Sequence, residues 1–317
     1  MAAQAHPPGP FRHEALFYSG QQEYVRKTGD FIEAAVAADE PILVVVDAEK
    51  IRLLRKQLGR RAARVQFADM AAVGLNPGRI IPAWVDFVTE HRAPGRRLRG
   101  IGEPIWPERA GEELVECQRH EALLNLAFEN AEGFWLLCPY DVDQLDPAVL
   151  DEARNSHAFI LDGAGNHESP TYSGAQNPRL VAELPTLGEP SVQMRFGPGS
   201  LGAVRKLVGR CAGRAGLAPE RIADAIFAAN EVATNSIQHG GGSGHIRVWH
   251  AAGALTCEVS DRGHVDHPLS DRVRPSQGAR DPRGLWLANH LCDLLQLRTF
   301  ADHTVVRLHV RGEPPPA

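Results

Sequence analysis

The chain has 317 residues, a length that suggests about two domains of ordinary size. Hydrophobic residues make up 43% and charged residues 23%, which is the balance of a globular protein with apolar material for two cores. The formal net charge of −5 is spread along the chain without a block of like sign, so no nucleic-acid or basic membrane surface is indicated. No apolar run approaches the ~20 residues of a membrane helix, and we expect no membrane partner.

The chain ends and the cysteines are typical of a cytoplasmic protein. Residues 1–10 lack the basic start and apolar stretch of a signal peptide, and we expect flexible tails at 1–10 and 313–317. The five cysteines are odd in number and never in C-x-x-C spacing. They predict buried reduced thiols rather than disulfides or a zinc site.

Strand-like and helix-like segments alternate between residues 11 and 162. Strands are predicted at 15–18, 42–46, 65–67, 98–101 and 134–138, with a helical stretch over about 25–36 and helices at 49–58, 80–90, 112–128 and 147–155. The continuous apolar run at 42–46 is typical of a strand buried on both faces of a parallel sheet. The alternation predicts right-handed βαβ units and therefore an α/β domain over residues 11–162.

The pattern changes after residue 162. Residues 163–190 are rich in Gly, Pro, Asn, Ser and Thr without periodicity, and we expect a linker. Beyond it, strands are predicted at 192–196, 245–250, 255–260, 296–300 and 304–310, and helices at 201–215, 220–239 and 284–295. Tight turns between successive strands indicate antiparallel pairing, which predicts an α+β domain over 191–312.

The helix at 220–239 carries a carboxylate and an amide one turn apart, Glu231 and Asn235, away from its apolar face. A carboxylate can hold the proton of a water or hydroxyl, and an amide oxygen is a hard ligand for Mg²⁺. A solvated polar face explains the same pair equally well. The three glycines at 240–242 are expected to end the helix in a left-handed cap.

Asp261 and Gly263 follow at the end of a predicted strand. The carboxylate can accept a hydrogen bond from an exocyclic amine, and the glycine lets a ligand approach the backbone. Asp-x-Gly is also an ordinary turn, so this segment alone decides nothing.

A polar loop then enters a helix through Arg283 and Gly284. Backbone N–H groups at such a helix start can bind phosphate, and Arg280 and Arg283 could add charge-assisted contacts to the same anion. A glycine hinge beside two solvated arginines is the alternative interpretation.

These three segments together resemble the nucleotide-binding boxes of the GHKL ATPases. Residues 227–240 (FAANEVATNSIQHG) resemble the N box, 259–263 the G1 box and 283–293 the G2 segment. No pair of dimerisation and phosphoacceptor helices precedes the domain, so it is more similar to the anti-sigma-factor serine kinase branch than to sensor histidine kinases.

The resemblance implies a Bergerat-fold ATPase sandwich that binds ATP and Mg²⁺. Asn235 would be the Mg²⁺ ligand, Glu231 the catalytic base toward an acceptor serine, and Asp261 the carboxylate that reads adenine. The other cofactor-binding residues that it implies lie at the adenine pocket and the phosphate lid: Gly263, Arg283, Gly284 and Leu285.

Two departures from the family pattern bear on activity. His264 and Val265 follow Gly263 where a second glycine is usual, and Trp286 replaces the second glycine of the lid. A bulky residue there could stiffen or close the lid, which favours ATP binding over rapid phosphotransfer.

The N-terminal half contains no G-x-x-x-x-G-K-[ST] phosphate loop, so we predict no nucleotide hydrolysis there. Its segments HEALFY (13–18), GEPIW (102–106), EALLN (121–125) and CPYD (138–141) resemble the MEDS domain, the sensory module of DcmR-type regulators. That resemblance implies a RecA/KaiC-like parallel sheet without a P-loop and a sensory role for residues 11–162.

Five residues of this half are candidates for a sensory pocket at the carboxyl ends of the strands: His13, Glu103, Trp106, Tyr140 and His157. A structural role is the alternative for each. Cys138 is expected to be a core thiol. His120 superficially resembles a phosphoacceptor, but it lies in a predicted helix packed inside the domain.

The leading hypothesis is a signal-responsive serine/threonine kinase of the anti-sigma-factor type. Its implied partners are a STAS-type anti-sigma-factor antagonist, a sigma factor and an unidentified small-molecule signal, and a homodimer is a candidate assembly. The second hypothesis is a non-catalytic module that uses ATP as a conformational ligand, and a sensor histidine kinase is the third.

Overall fold

A computed structural model of the protein describes residues 9–109, 111–273 and 283–312. The chain forms two compact units that divide between Leu180 and Val181. Within the described ranges, every helix is too short or too polar to span a lipid bilayer.

The first unit is built on a seven-stranded sheet in the order β3-β2-β4-β5-β1-β6-β7. Its strands are β1 (Arg12–Tyr18), β2 (Ile42–Val46), β3 (Gln66–Asp69), β4 (Leu98–Gly102), β5 (Phe134–Asp141), β6 (Phe159–Asp162) and β7 (Gly165–Glu168). All pairings are parallel except that between β6 and β7. The predicted α/β class of this half is therefore confirmed, whereas its RecA/KaiC-like character stays a prediction.

Helices connect the parallel strands of this sheet. They are α1 (Gly20–Ala37), α2 (Ala48–Leu58), α3 (Met70–Gly74), α4 (Ile80–His91), α5 (Gly111–Ala127) and α6 (Pro147–Ser156). Local sequence fixes several starts: Asp47 caps α2 by accepting from the Lys50 N–H, and Asp146 caps α6 ahead of Pro147. Val44 and Val45 lie on opposite faces of β2 and are both at most 1% exposed, which explains the continuous apolar run in the sequence.

The second unit is an antiparallel sheet in the order β11-β12-β10-β9-β8 with helices packed against it. Its elements are β8 (Val192–Phe196), α7 (Leu201–Arg214), α8 (Pro219–His239), β9 (Gly244–Ala251), β10 (Ala254–Asp261), α9 (Arg283–Leu291), β11 (Leu294–Thr299) and β12 (Thr304–Arg311). A single apolar core lies between the three helices and the sheet. The predicted α+β class of this half is confirmed.

The prediction of an irregular linker at 163–190 is wrong for part of that range. Gly165–Glu168 forms β7, a polar edge strand whose backbone pairs with β6. Further along, carbonyl oxygens accept hydrogen bonds from side chains of the second sheet: Ala182 from Arg298 Nε, Pro185 from Arg307 Nη2 and Gly188 from Trp249 Nε1. These residues show no hydrophobic periodicity because they are held by backbone pairing with β6 and by hydrogen bonds from side chains of the second sheet.

Candidate functional site

Glu231 and Asn235 lie on the side of α8 that meets the first turn of α9. A β-carbon at Gly284 would lie 2.9 Å from Glu231 Oε2 and 3.4 Å from Asn235 Nδ2. Any larger residue at position 284 would have to displace the Glu231 carboxylate. The structure therefore brings together three residues that the sequence had placed in one nucleotide site.

Asn235 is half-buried, and its side-chain nitrogen has no hydrogen-bond partner among the described residues. A buried polar atom left unsatisfied is uncommon and needs a physical reason. Because the amide nitrogen is not tied to an acceptor, the side chain can turn its oxygen toward a hard cation. This property fits the Mg²⁺ ligand that the family resemblance implies.

Asp261 ends β10 with both carboxylate oxygens held in place. Ser236 Oγ donates a hydrogen bond to Oδ2 at 2.6 Å, and the Gly263 N–H donates to Oδ1 at 2.7 Å. A carboxylate offers about four lone-pair sites, so each oxygen can accept one further hydrogen bond. The half-buried Asp261 is thus fixed in orientation and able to accept from an exocyclic amine.

The packing of the protein backbone gives a steric reason for a glycine at position 263. A β-carbon there would lie 2.7 Å from Gly240 Cα and 2.8 Å from the His239 carbonyl oxygen. The glycine lets the turn after β10 pack directly on the end of α8. Ligand approach to Gly263 stays a prediction, but tight packing of protein backbone is sufficient to demand this residue.

The expected left-handed cap of α8 is confirmed, with Gly240 as the C-cap residue and the left-handed conformation at the residue that follows it. Gly240 has φ −96°, and its role is steric, because a β-carbon there would overlap Asp261 Cγ. Gly241 and Gly242 both have φ +83° and supply the left-handed turn. Gly240 therefore leaves space for the Asp261 carboxylate, whereas Gly241 and Gly242 permit the left-handed turn.

The G2-like segment lies mainly in a helix. Arg283 is exposed at the start of α9, whereas Gly284 and Leu285 are buried. The Trp286 ring packs on His290, with ring centroids 4.1 Å apart. Arg280 lies outside the described residues. Trp286 is thus a helical residue with a packed ring.

In the first unit, three of the five proposed pocket residues come together. The rings of His13 and His157 have centroids 3.9 Å apart, and Tyr140 contacts His157 edge-on at 5.6 Å. All three are buried. Their expected location at the carboxyl ends of the strands is wrong for His13, which lies at the beginning of β1, and for His157, which lies between α6 and the amino end of β6.

Burial and the neighbouring charge of His157 lower the pKa of His13 to about 4, against weaker opposing effects of Glu121 and Asn125. Burial alone would raise the pKa of Glu121, but its contacts with His13 and His157 outweigh burial and lower it. Burial raises the pKa of the Cys138 thiol. His13 is therefore neutral near pH 7, beside a charged carboxylate and a protonated thiol.

The other two pocket candidates lie in separate environments. Trp106 packs under the Arg109 guanidinium, 4.0 Å from its ring centroid. Glu103 accepts hydrogen bonds from Lys50 Nζ at 2.7 Å and from the Tyr18 hydroxyl at 2.9 Å. Tyr18 and Lys50 also line a cavity of about 210 Å³ at the carboxyl ends of the strands.

Glu121 was not identified from the sequence as a site residue, and Cys138 was interpreted only as a core thiol. Glu121 of α5 approaches the Nε2 atoms of both His13 and His157, and Cys138 of β5 lies 3.4 Å from His13 Nε2. Neither residue has a partner at motif spacing along the chain. The strand order places β1 next to β5, and the packing of α5 adds Glu121 to the same cluster.

The fold and the site define a protein that joins an α/β domain to an ATPase-like α+β domain. Residues 12–158 match the family model of the MEDS domain, the MEthanogen/methylotroph, DcmR Sensory domain. Residues 195–310 match the family model of the histidine kinase-like ATPase domain. Both family resemblances inferred from the sequence are confirmed.

Among solved structures, the RsbU and RsbW domains of a Mycobacterium tuberculosis protein are similar to part of this chain. The sequence identity is 20% and the TM-score 0.29, and the match covers 38% of this chain and 32% of that one. A similarity of this extent carries no assignment of function. No curated protein matches the chain.

Proposed function

We propose that residues 191–312 bind ATP with Mg²⁺, and that the protein is a signal-responsive serine/threonine kinase of the anti-sigma-factor type. Its substrate would be a serine of a STAS-type anti-sigma-factor antagonist, and sequestration of a sigma factor is a companion role. The observation that supports this proposal is the placement of Glu231 and Asn235 against Gly284, next to the oriented Asp261. The MEDS domain would supply the signal input.

Each side chain has a role that its surroundings permit. Asp261 would accept a hydrogen bond from the adenine amine, and the Asn235 oxygen would hold Mg²⁺. Mg²⁺, when bound, neutralises charge on the phosphate oxygens. The α9 N-terminus at Gly284 and Leu285 would offer backbone N–H groups to phosphate, as its peptide dipoles favour.

Glu231 is the candidate catalytic base. Its carboxylate is half-buried and one turn of α8 from Asn235, so an acceptor hydroxyl near the metal ligand would also be near this base. Glu231 would take the proton of the serine hydroxyl as that oxygen forms its bond to the γ-phosphorus, while the bond from this phosphorus to the β,γ-bridging oxygen breaks and ADP leaves. General-base assistance of this kind contributes about 10²–10⁴-fold to a rate.

Transfer of labelled phosphate from ATP to candidate antagonist proteins tests this function. We expect Glu231→Gln to retain ATP affinity and to lose at least about 10²-fold in phosphotransfer rate. Glu220→Gln is the matched control, because Glu220 lies on the exposed first turn of the same helix. Equal labelling by wild type and Glu231→Gln would remove the catalytic role of Glu231.

A non-catalytic, ATP-dependent binding module is the second candidate function. The packed ring of Trp286 favours it, because a fixed indole occupies the position of a lid glycine. This alternative predicts ATP affinity that is lost in Asp261→Asn, without any phosphoprotein. Stoichiometric phosphotransfer to a partner would reject it.

The sensor histidine kinase stays the third candidate. It requires an accessible phosphoacceptor, and His120 is only 1% exposed on α5. Detection of an acid-labile phosphohistidine on the protein would revive this interpretation.

A further inference from the structure

Four side chains from separate elements of the first unit converge on one point: His13 of β1, Glu121 of α5, Cys138 of β5 and His157 after α6. One potential ligand atom from each lies within 4.8 Å of the other three, and all four residues are at most 2% exposed. The strand register explains half of the cluster. Ala15 pairs with Cys138, so His13, two residues before Ala15, shares a sheet face with that thiol.

The hydrogen bonds around His157 orient its ring. Its Nδ1 atom lies 2.8 Å from the carbonyl oxygen of Ala153, which can only accept. Nδ1 therefore carries a proton, and Nε2 is the nitrogen that faces the cluster. His157 Nε2 has no hydrogen-bond partner among the described residues.

His13 is oriented in the same manner through Asn125. The Asn125 Nδ2 group donates to the Ser156 carbonyl oxygen at 2.8 Å, so its Oδ1 must face His13 Nδ1 at 3.2 Å. His13 Nδ1 accordingly donates, and Nε2 points at Glu121 and Cys138. A histidine whose outer nitrogen donates to a carbonyl or amide oxygen is the usual arrangement at metal sites.

The Glu121 carboxylate lacks the donors that a buried carboxylate normally has. Neither of its oxygens has a hydrogen-bond partner within the part of the chain that the structure describes. The nitrogens of His13 and His157 approach Oε2 at 3.2 and 3.3 Å without hydrogen-bonding geometry. A positive charge between the buried carboxylate and the two oriented ring nitrogens would stabilise this arrangement.

Three of the distances between donor atoms match a tetrahedral coordination shell. With bonds of about 2.0–2.1 Å to nitrogen or oxygen, two donors around tetrahedral zinc lie about 3.3 Å apart, and a nitrogen and a sulfur lie about 3.5 Å apart. The observed separations are 3.2 and 3.3 Å from the histidines to Glu121, and 3.4 Å from His13 to Cys138. The remaining pairs of donor atoms lie within 4.8 Å of one another, so side-chain movement can bring all four to the distances of a coordination shell.

We propose that His13, Glu121, Cys138 and His157 form a tetrahedral Zn²⁺ site inside the MEDS domain. Two imidazoles, a carboxylate and a thiolate are a donor set that zinc accepts, and four protein ligands close the site. On binding, the metal replaces the proton of the Cys138 thiol, which passes to the buffer. The carboxylate and thiolate then neutralise the cation, as burial demands.

Zinc binding to the full chain tests the site directly. The metal-stripped protein is dialysed against Zn²⁺ held at low free concentration by a chelator, and metal content is measured per chain. We expect one zinc per wild-type chain, and affinities at least about tenfold weaker in Glu121→Gln and Cys138→Ala. Cys117→Ala is the matched control, since Cys117 is a buried thiol of the same unit outside the cluster.

Cobalt(II) gives a second measurement on the wild type that does not depend on variants folding. We expect tetrahedral d–d bands and a thiolate-to-cobalt charge-transfer band, with the charge-transfer band retained in Cys117→Ala. Failure of the wild type to take up zinc, or a cobalt spectrum without thiolate ligation, would overturn the proposal. Equal zinc affinity of wild type and a folded Glu121→Gln would also overturn it and leave a buried histidine–carboxylate cluster.

Discussion

The Ser236 hydroxyl donates a 2.6 Å hydrogen bond to Asp261 and thereby ties α8 to the end of β10. The same carboxylate accepts from the Gly263 N–H, and Gly240 leaves the space that it occupies. Two motifs that are 25 residues apart along the chain are thus one structural unit. A change at Ser236 should therefore act on the nucleotide through Asp261.

The first prediction concerns Asp261→Asn. The amide oxygen can keep the bond from the Gly263 N–H, and the amide nitrogen can donate to Ser236, whose hydroxyl can then donate to the Val232 carbonyl oxygen 3.2 Å away. The fold should therefore persist, while ATP affinity falls about 10–100-fold with the loss of a charge-assisted hydrogen bond. Isothermal titration calorimetry with ATP and Mg²⁺ measures the change.

Asp266→Asn is the matched control for this measurement, because Asp266 is exposed in the loop that follows. It should bind ATP as the wild type does. Ser236→Ala should weaken binding less than Asp261→Asn, since it frees the carboxylate but keeps its charge. Unchanged ATP affinity in a folded Asp261→Asn would show that this carboxylate does not contact the nucleotide.

The second prediction uses two helical glycines of the second unit. Gly284→Ala places a β-carbon 2.9 Å from Glu231 Oε2, whereas Gly213→Ala on α7 meets nothing within 4 Å. We expect Gly284→Ala to destabilise the unit by about 1–3 kcal/mol through overpacking. Gly213→Ala should stabilise it by about 0.5–1 kcal/mol through helix propensity. Hydrogen exchange of α8 and β10 peptides measures the change in the stability of this unit.

Glu231→Ala removes the carboxylate oxygen nearest to the added methyl group. The combination of Glu231→Ala with Gly284→Ala should therefore cost less than the sum of the single changes. Strict additivity would contradict the contact between the start of α9 and Glu231.

Strong local patterns made most of the fold predictable. Val192–Phe196 matches its predicted strand, and α8 begins one residue before its predicted start because Pro219 occupies the first helical position. Gly165–Glu168 could not be predicted, since this polar edge strand exists only through pairing with β6. Tertiary pairing decides such a segment, not its own composition.

The same distinction separates the two sites. Glu231 and Asn235 were predictable because they lie one turn apart on a helix with a clear apolar face. Glu121 and Cys138 join His13 only through the sheet order and the packing of α5, so no spacing along the chain marks them. The sequence marked Gly263 as a position of interest, but it could not show that the glycine packs against the backbone at the end of α8.

The third prediction concerns a buried charge on the sheet of the second unit. Glu258 accepts from Arg307 Nε at 2.9 Å and Nη2 at 2.6 Å, and it also pairs with Arg247. Glu258→Gln leaves the buried Arg307 guanidinium without its counter-charge, and should destabilise this unit by about 3 kcal/mol. Hydrogen exchange of β10 and β12 peptides measures the loss.

Asp302→Asn is the control for this change, because its pair with His303 is exposed and should add nothing measurable. Protection of β10 that is equal in Glu258→Gln and wild type would show that the Arg307 charge is compensated elsewhere.

The fourth prediction is a pH dependence that originates at Glu103. Burial raises its pKa to about 7 from 4.5, against the opposing effects of Lys50 and the Tyr18 hydroxyl, while Asp47 raises it further. The folded state therefore holds a proton that the unfolded state releases. The resulting stability is fully present below about pH 4.5 and is lost as the pH rises through about 7.

Glu103→Gln resembles the protonated carboxyl group and does not titrate, so the comparison isolates this one residue. The free energy of unfolding of the wild type should fall relative to Glu103→Gln by up to about 3 kcal/mol between about pH 5 and about pH 8. Urea unfolding followed by tryptophan fluorescence gives both curves, and the exposed Glu90→Gln should track the wild type. A constant difference between wild type and Glu103→Gln across this range would mean that Lys50 keeps Glu103 ionised throughout, as its 2.7 Å contact alone would suggest.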